Sequence, residues 1–143
     1  MRRSRGEEGQ ALVEFALVLP VLLMLILGLF DVARAVWQEN TLAYAAREGT
    51  RYAIVHGSAS EAPVDQGDHA AVGDVVREAA VGVANITVTV TYPDVVGATP
   101  CNDRGCRVAV DATAPFVPLP SQYLLDGAFQ ITLRGGSLLV IQR

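Results

Sequence analysis

Residues 9–30 read GQALVEFALVLPVLLMLILGLF, and the sixteen positions between Glu14 and Asp31 carry no charge. With the turn ahead of Glu14, the apolar run reaches about 20 residues, the length a helix needs to cross the hydrocarbon of a bilayer. The run reads as a membrane anchor with its span at about residues 11–30. Arg2, Arg3 and Arg5 precede it, and a short basic arm stays on the cytoplasmic side while the chain beyond the span is carried across. Residues 1–9 are therefore expected to be a cytoplasmic leader. The expected location is the cytoplasmic (inner) membrane, single-pass, with the C-terminal domain outside.

A secretory signal peptide also opens with basic residues and an apolar run, but that run covers about 7–15 residues and ends in a small-x-small cleavage site. Here Phe30-Asp31-Val32-Ala33-Arg34 comes after a longer run and offers no such site. A cut is expected ahead of the apolar stretch, after Gly9, which makes Gln10 the new first residue and Glu14 the fifth. A carboxylate near the bilayer centre costs roughly 2.5–3.5 kcal/mol, less toward an end, so Glu14 should be paired or functional. In a bundle of like helices, Glu14 of one subunit would neutralise the free amine on Gln10 of a neighbour and set the axial register. On a lone anchor it would simply snorkel to the headgroups. Pro20 removes one backbone hydrogen bond and should bend or loosen the helix.

These residues resemble a known family. Gly9-Gln10-Ala11-Leu12-Val13-Glu14-Phe15, then Ala16-Leu17-Val18-Leu19-Pro20, is similar to the opening of TadE-like pseudopilins of the Tad (tight adherence, Flp) pilus assembly system. The similarity continues through Asp31, Ala33-Arg34-Ala35 and Ala45-Ala46-Arg47-Glu48-Gly49-Thr50-Arg51-Tyr52-Ala53. The resemblance implies cleavage after Gly9 by a dedicated prepilin peptidase, retention of the apolar helix, and a role in building or priming a type IV-like pilus. It also implies as partners the membrane, other pilin or pseudopilin subunits and Tad inner-membrane assembly proteins. Gln10, Glu14, Phe15 and Pro20 are then the residues of subunit register and assembly. One departure stands out: many pilin-class proteins begin with Phe or Met after cleavage, whereas Gln10 is polar, and its cyclisation would remove the amine that faces Glu14.

With 143 residues, one anchor and one small domain are all that fit, because only about 85 residues remain beyond a long first helix. The formal charge is −4, and with Arg2, Arg3 and Arg5 held inside, the exported part is more acidic still. Such a surface speaks against nucleic acid or anionic lipid as a partner.

The first helix should continue past the membrane. Residues 31–56 contain no proline and are rich in alanine, and Asp31 with Arg34 and Glu48 with Arg51 sit at i, i+3, where opposite charges help. Leu29, Val32, Ala33, Val36, Ala43, Arg47 and Ile54 fall near one stripe. A helix over about residues 10–56 is expected, roughly 70 Å long, its projecting half a spine on which a sheet packs. The alanines suit close approach between subunits, or are simply good helix formers. Trp37 and Tyr44 suit either the headgroup belt or the core.

Residues 57–143 read as the small extracytoplasmic domain. Gly57 should cap the helix, with a polar loop after it. Asp65, Asp68, His69 and Asp74 fit no metal-ligand spacing and suit a helix N-terminus instead, with Asp68 as its cap. Val72, Val75, Val76, Ala79 and Ala80 repeat at helical spacing, and Gly82 closes that short helix. Residues 85–92 alternate, with Ile86, Val88, Val90 and Tyr92 on one face. Residues 107–114 alternate with Val108, Val110, Ala112 and Ala114 inward, and the two strands should pair antiparallel. Residues 115–120 read as an extended connection and 121–125 as a helical turn. Phe129, Ile131 and Leu133 mark a third strand, after which Gly135-Gly136 allows either a hairpin or a bulge. The expected fold is α+β: a long N-terminal transmembrane, pilin-like helix packed on a small antiparallel β-sheet, with one short additional helix.

Cys101 and Cys106 flank Asn102-Asp103-Arg104-Gly105 in the loop between the first two strands. In an exported domain an even cysteine count implies a disulfide, here closing a small ring. The spacing lacks the form of a dithiol active site, and His56 and His69 do not complete a metal site. No G-x-S-x-G, H-E-x-x-H or P-loop is present, so neither an enzyme nor a cofactor or metal is expected. The leading expectation is a pseudopilin or minor pilin-like subunit. The alternatives are a self-polymerising pilin subunit incorporated into the pilus, or a membrane-tethered extracytoplasmic binding module.

Overall fold

The computed structural model describes residues 5–64, 67, 69–124 and 126–142. Arg2 and Arg3 of the leader, and Asp65 and the expected cap Asp68, lie outside the described residues. Helix α1 is Arg5–Val55, 51 residues that begin ahead of Gly9 and continue through Pro20. After it come α2 (Ala70–Ala79), β1 (Thr87–Thr91), β2 (Val95–Val96), β3 (Thr99–Pro100), β4 (Arg107–Phe116), α3 (Leu119–Leu124) and β5 (Ile131–Val140). The architecture is α+β, a long N-terminal apolar helix with a small antiparallel sheet. The chain divides into two compact units. One holds Met1–Arg34 with Val117–Gln130, the other Ala35–Phe116 with Ile131–Arg143.

The second unit is built on a three-stranded antiparallel sheet of order β1-β4-β5. The alternation in β4 sets its faces: Val108, Val110, Ala112 and Ala114 are buried, while Asp111 and Thr113 between them are half-buried. Val90 lies opposite Val110 and Val88 opposite Ala112, so both inward rows meet on one face. β4 runs through Pro115 to Phe116, two residues past the expected end. Proline is tolerated there because the pairing with β1 stops at Thr113, which leaves β4 locally an edge strand bonded to β5 alone.

β5 departs from the expectation in two ways. It starts at Ile131 rather than at Phe129, and Ile131 itself is exposed while Leu133 is buried. Gly135 and Gly136 form neither hairpin nor bulge, since the register runs unbroken from Phe116↔Ile131 to Arg107↔Val140. Gly135 serves close packing instead: a Cβ at that position would overlap the backbone of Leu42 and Ala43. The glycine lets strand and helix meet main chain to main chain.

That contact decides which face of α1 enters the core. The buried positions are Leu42, Ala45, Ala46, Gly49, Thr50 and Ala53, spaced 3-1-3-1-3 as one helical stripe. The expected stripe is corrected: Leu29, Val32, Ala33, Val36 and Arg47 are exposed. Small residues line the helix because the sheet and α2 come so near. A Cβ on Gly49 would lie 3.4 Å from Val72 Cγ1 and Val110 Cγ1 and would overlap Val76. Thr50 is fully buried, and its hydroxyl donates to Ala46 O at 2.7 Å, so no polar group is stranded. Val72 and Val76 of α2, Leu133 and Ile141 complete the core.

α1 does not end on a left-handed glycine. Gly57 is buried and has an ordinary φ. The last carbonyls of the helix find other donors, Ile54 O taking the Gln142 N–H at 3.0 Å and His56 O the Val64 N–H at 2.8 Å. Trp37, half exposed, lies over Gly82 after α2. The two cysteines are bonded, Cα to Cα 5.9 Å. Their ring is tied down: Gly105 N–H donates to Ile141 O at 3.0 Å, Ile141 N–H to Cys106 O at 2.8 Å, and Asn102 Nδ2 to Val64 O at 3.0 Å.

Candidate assembly surface

The first unit carries the long apolar helix face and a short excursion of chain that packs beside it. The segment Gly9–Val55 of α1 is long and apolar enough to cross a membrane, and none of its most apolar window is buried. Leu12, Phe15, Leu17, Val21, Leu25 and Leu29 are each more than 60% exposed. In a soluble protein that much bare leucine and phenylalanine would be an aggregation hazard; it is stable only in lipid or against other helices.

Within this helix, Gln10 and Glu14 stand one turn apart. Gln10 Nε2 donates to Glu14 Oε1 at 3.1 Å within the same chain. Both are exposed, so the carboxylate is open to a donor from another molecule. Phe15, next to it, is 63% exposed. The helix continues through Pro20, whose missing N–H leaves the carbonyl of Ala16 without its helical donor. The structure thus places Gly9, Gln10, Glu14, Phe15 and Pro20 on the first three turns of the apolar segment, and Cys101 and Cys106 in the other unit.

The residue that sequence reasoning undervalued is Asp31. It forms the expected pair with Arg34, Nη1 to Oδ1 3.0 Å, but it is only 6% exposed. Its second oxygen, Oδ2, accepts the backbone N–H of Leu119 at 2.8 Å. Leu119 opens α3, so the carboxylate satisfies a free donor at a helix start, as a side-chain cap would from within the chain's own loop. The signal in the sequence was a carboxylate placed at the very end of an uncharged run.

The excursion Val117–Gln130 makes several hydrogen bonds within itself. Pro118 and Pro120 have no N–H to satisfy. Gln122 N–H donates to Pro118 O and Gly127 N–H to Ser121 O, each at 2.9 Å. The Ser121 hydroxyl accepts the Phe129 N–H at 3.0 Å and donates to Phe129 O at 2.9 Å. Between α3 and α1 lies an apolar groove of about 370 Å³, with Pro20, Leu23 and Leu27 on one wall and Leu119, Pro120 and Tyr123 on the other.

Two further features of the second unit bear on function. Asp94 receives Arg107 through both the side chain, Nη2 to Oδ1 2.6 Å, and the backbone N–H, to Oδ2 at 2.7 Å. These hydrogen bonds hold its carboxyl below the usual aspartate range, and Asp94 in turn raises the Arg107 guanidinium. His56 stacks on Tyr52 with ring centroids 4.0 Å apart. Among the described residues no three His, Cys, Asp or Glu side chains gather as a metal-holding group.

No curated protein and no solved structure matches the chain. The family model described as TadE-like protein matches residues 9–51, the stretch holding Gly9, Glu14, Pro20, Asp31 and the small-residue stripe of α1 as far as Thr50. Over that segment the chain is similar to TadE-like proteins, and its N-terminal apolar helix fits a single-pass membrane protein of a pilus system.

Proposed function

We propose that the chain is a pseudopilin, a minor pilin-like subunit that takes part in assembling a Tad-type, type IV-like pilus, and that its role is structural rather than catalytic. A prepilin peptidase would remove residues 1–9, leaving Gln10 as the new N-terminus and the apolar helix in place. Glu14 would then exchange its partner within the chain for the terminal amine of a neighbouring subunit. The observation that carries this reading is an exposed carboxylate, one turn after Gln10, in a helix whose next sixteen residues are uncharged. Salt-bridging there would cancel two charges that hydrocarbon disfavours, and only one axial stagger of the helices allows it.

Two measurements test it in cells carrying the rest of the pilus machinery. Mass spectrometry of the mature chain should find Gln10, or its cyclised form, at the N-terminus; an intact Met1 or Ser4 would indicate a plain anchor. Glu14→Ala should leave processing and membrane insertion intact but abolish piliation and recovery of crosslinked pilin partners. Normal pili in that variant would rule out the register role.

A further inference from the structure

We propose that the start of the excursion, residues 117–124, is a lipid-embedded wedge, lying in the hydrocarbon of the leaflet that the chain enters after its span, with an acyl chain in the groove between α3 and α1. The inference rests on reading residues 11–30 as the span and adds a second membrane-contacting element to it.

Three observations converge. First, the groove wall on α1 consists of Pro20, Leu23, Met24 and Leu27, which lie inside the span, so whatever packs on them shares its environment. Lipid already surrounds these residues, and the groove is continuous with that surface. Second, residues 112–125 carry no charge and Asp126 lies beyond the wedge, whereas the chain as a whole is 18% charged. Tyr123 is 78% exposed, which water disfavours and an acyl environment does not. Third, irregular backbone is tolerated at membrane depth only when its polar groups are satisfied from within. Several of the wedge's groups are removed or satisfied within the same unit: two positions are prolines, the Leu119 N–H goes to Asp31, the Gln122 N–H goes to Pro118 O, and the Ser121 hydroxyl is held by the backbone of Phe129.

The test uses the full chain in phosphatidylcholine vesicles at low protein-to-lipid ratio. Trp37 is first replaced (Trp37→Phe), and a single tryptophan is then introduced as Tyr123→Trp or, to report on the span, Leu17→Trp. If the wedge lies in lipid, acyl-brominated phosphatidylcholine cuts the emission of the Tyr123→Trp protein by roughly half or more, as it does for Leu17→Trp, because contact quenching requires the bromines alongside the ring. Acrylamide then quenches it far less than it quenches N-acetyltryptophanamide. Quenching by acrylamide and not by bromolipid, with Leu17→Trp still quenched by bromolipid, overturns the wedge and leaves the span intact. Protection of Tyr123→Trp from both quenchers also overturns it and identifies a protein occupant, such as a second copy. Failure of bromolipid to quench Leu17→Trp removes the span reading, and the wedge with it.

Discussion

Asp31 Oδ2 accepts the backbone N–H of Leu119 at 2.8 Å, across 88 residues of sequence, while Oδ1 takes Arg34. One carboxylate thus holds the start of α3 against the long apolar helix. Both oxygens are used and the residue is 6% exposed, so truncation leaves the Leu119 backbone donor short of its partner and removes the ion pair with Arg34. A hydrogen bond to a charged group is worth about 1.5–3 kcal/mol. Asp31→Ala should therefore speed hydrogen exchange at the Leu119 amide by roughly tenfold or more, and expose the excursion to protease after Tyr123. Asp31→Asn keeps an acceptor and should fall between variant and wild type. An unchanged exchange rate in Asp31→Ala would mean that α3 is held by its apolar contacts alone.

Gly135 makes a second, independent prediction. A methyl group there meets the main chain of Leu42 and Ala43, which cannot rotate away as a side chain can. Overpacking usually costs about 1–3 kcal/mol, and with backbone as the obstacle Gly135→Ala belongs at or beyond the upper end. For a domain of this size the midpoint of thermal unfolding should drop by roughly 5 °C or more. Gly136→Ala is the comparison, since its Cβ would meet only Asp111 Oδ1, at 2.7 Å, at the end of a side chain that can turn. Its smaller loss should reflect strain on the Arg134 to Asp111 ion pair, 2.8 Å in the native protein. Equal effects at the two glycines would contradict the backbone-contact explanation.

Gly135 also shows where sequence reading stops. The β1 and β4 strands were legible because period-two alternation of Val and Thr is a local pattern with one structural solution, and Val90 meets Val110 as that pattern requires. The long apolar helix was legible for the same reason, a local run of uncharged residues. The core stripe of α1 was not. Its members are Ala45, Ala46, Gly49, Thr50 and Ala53 as well as Leu42, chosen for how closely β5 and α2 approach, and smallness carries no signal on a hydropathy scale. The larger apolar residues nearby, Leu29, Val32 and Val36, drew the stripe to the wrong face. A two-glycine step reads locally as a turn, and only the partner helix reveals that it is a crossing point. That Gly9, Gln10, Glu14 and Pro20 lie on one apolar helix was readable from the sequence. Asp31's second partner was not, because nothing near Asp31 in the sequence points to Leu119.

The Cys101 to Cys106 bond closes a small ring whose residues are already bonded to Ile141, just after β5, and to the 57–64 loop. By loop-closure entropy so short a ring contributes about 2 kcal/mol. Replacing both cysteines by serine should lower the unfolding midpoint accordingly and make it indifferent to reductant, whereas the wild-type midpoint should fall in reductant to near that of the double variant. Because the ring lies in the unit that does not contain the span, membrane insertion should be unchanged. A wild-type midpoint insensitive to reductant would show that the hydrogen bonds to Ile141 and Val64 hold the loop without it.

The Asp94 to Arg107 pair gives the pH dependence a definite sign. Arg107 binds the carboxyl of Asp94 through its side chain and its backbone N–H, which lowers the folded-state pKa of Asp94 below its ordinary value. At a pH between the folded and the ordinary values the unfolded chain binds more protons than the folded one, so stability rises with pH through that window. The contribution is fully present above the ordinary aspartate range and is lost as pH falls through the depressed folded value; Arg107 stays charged throughout. The pair is open to solvent, so salt should weaken it. Arg107→Gln should bring the Asp94 titration, tracked by carboxyl carbon resonance in NMR, up toward the ordinary range. In acid unfolding the variant should lose the part of the wild-type slope that falls within the window, and the two proteins should converge in stability below it. Titration of Asp94 at the same pH in both proteins would show that the backbone N–H, which the glutamine retains, sets its acidity alone.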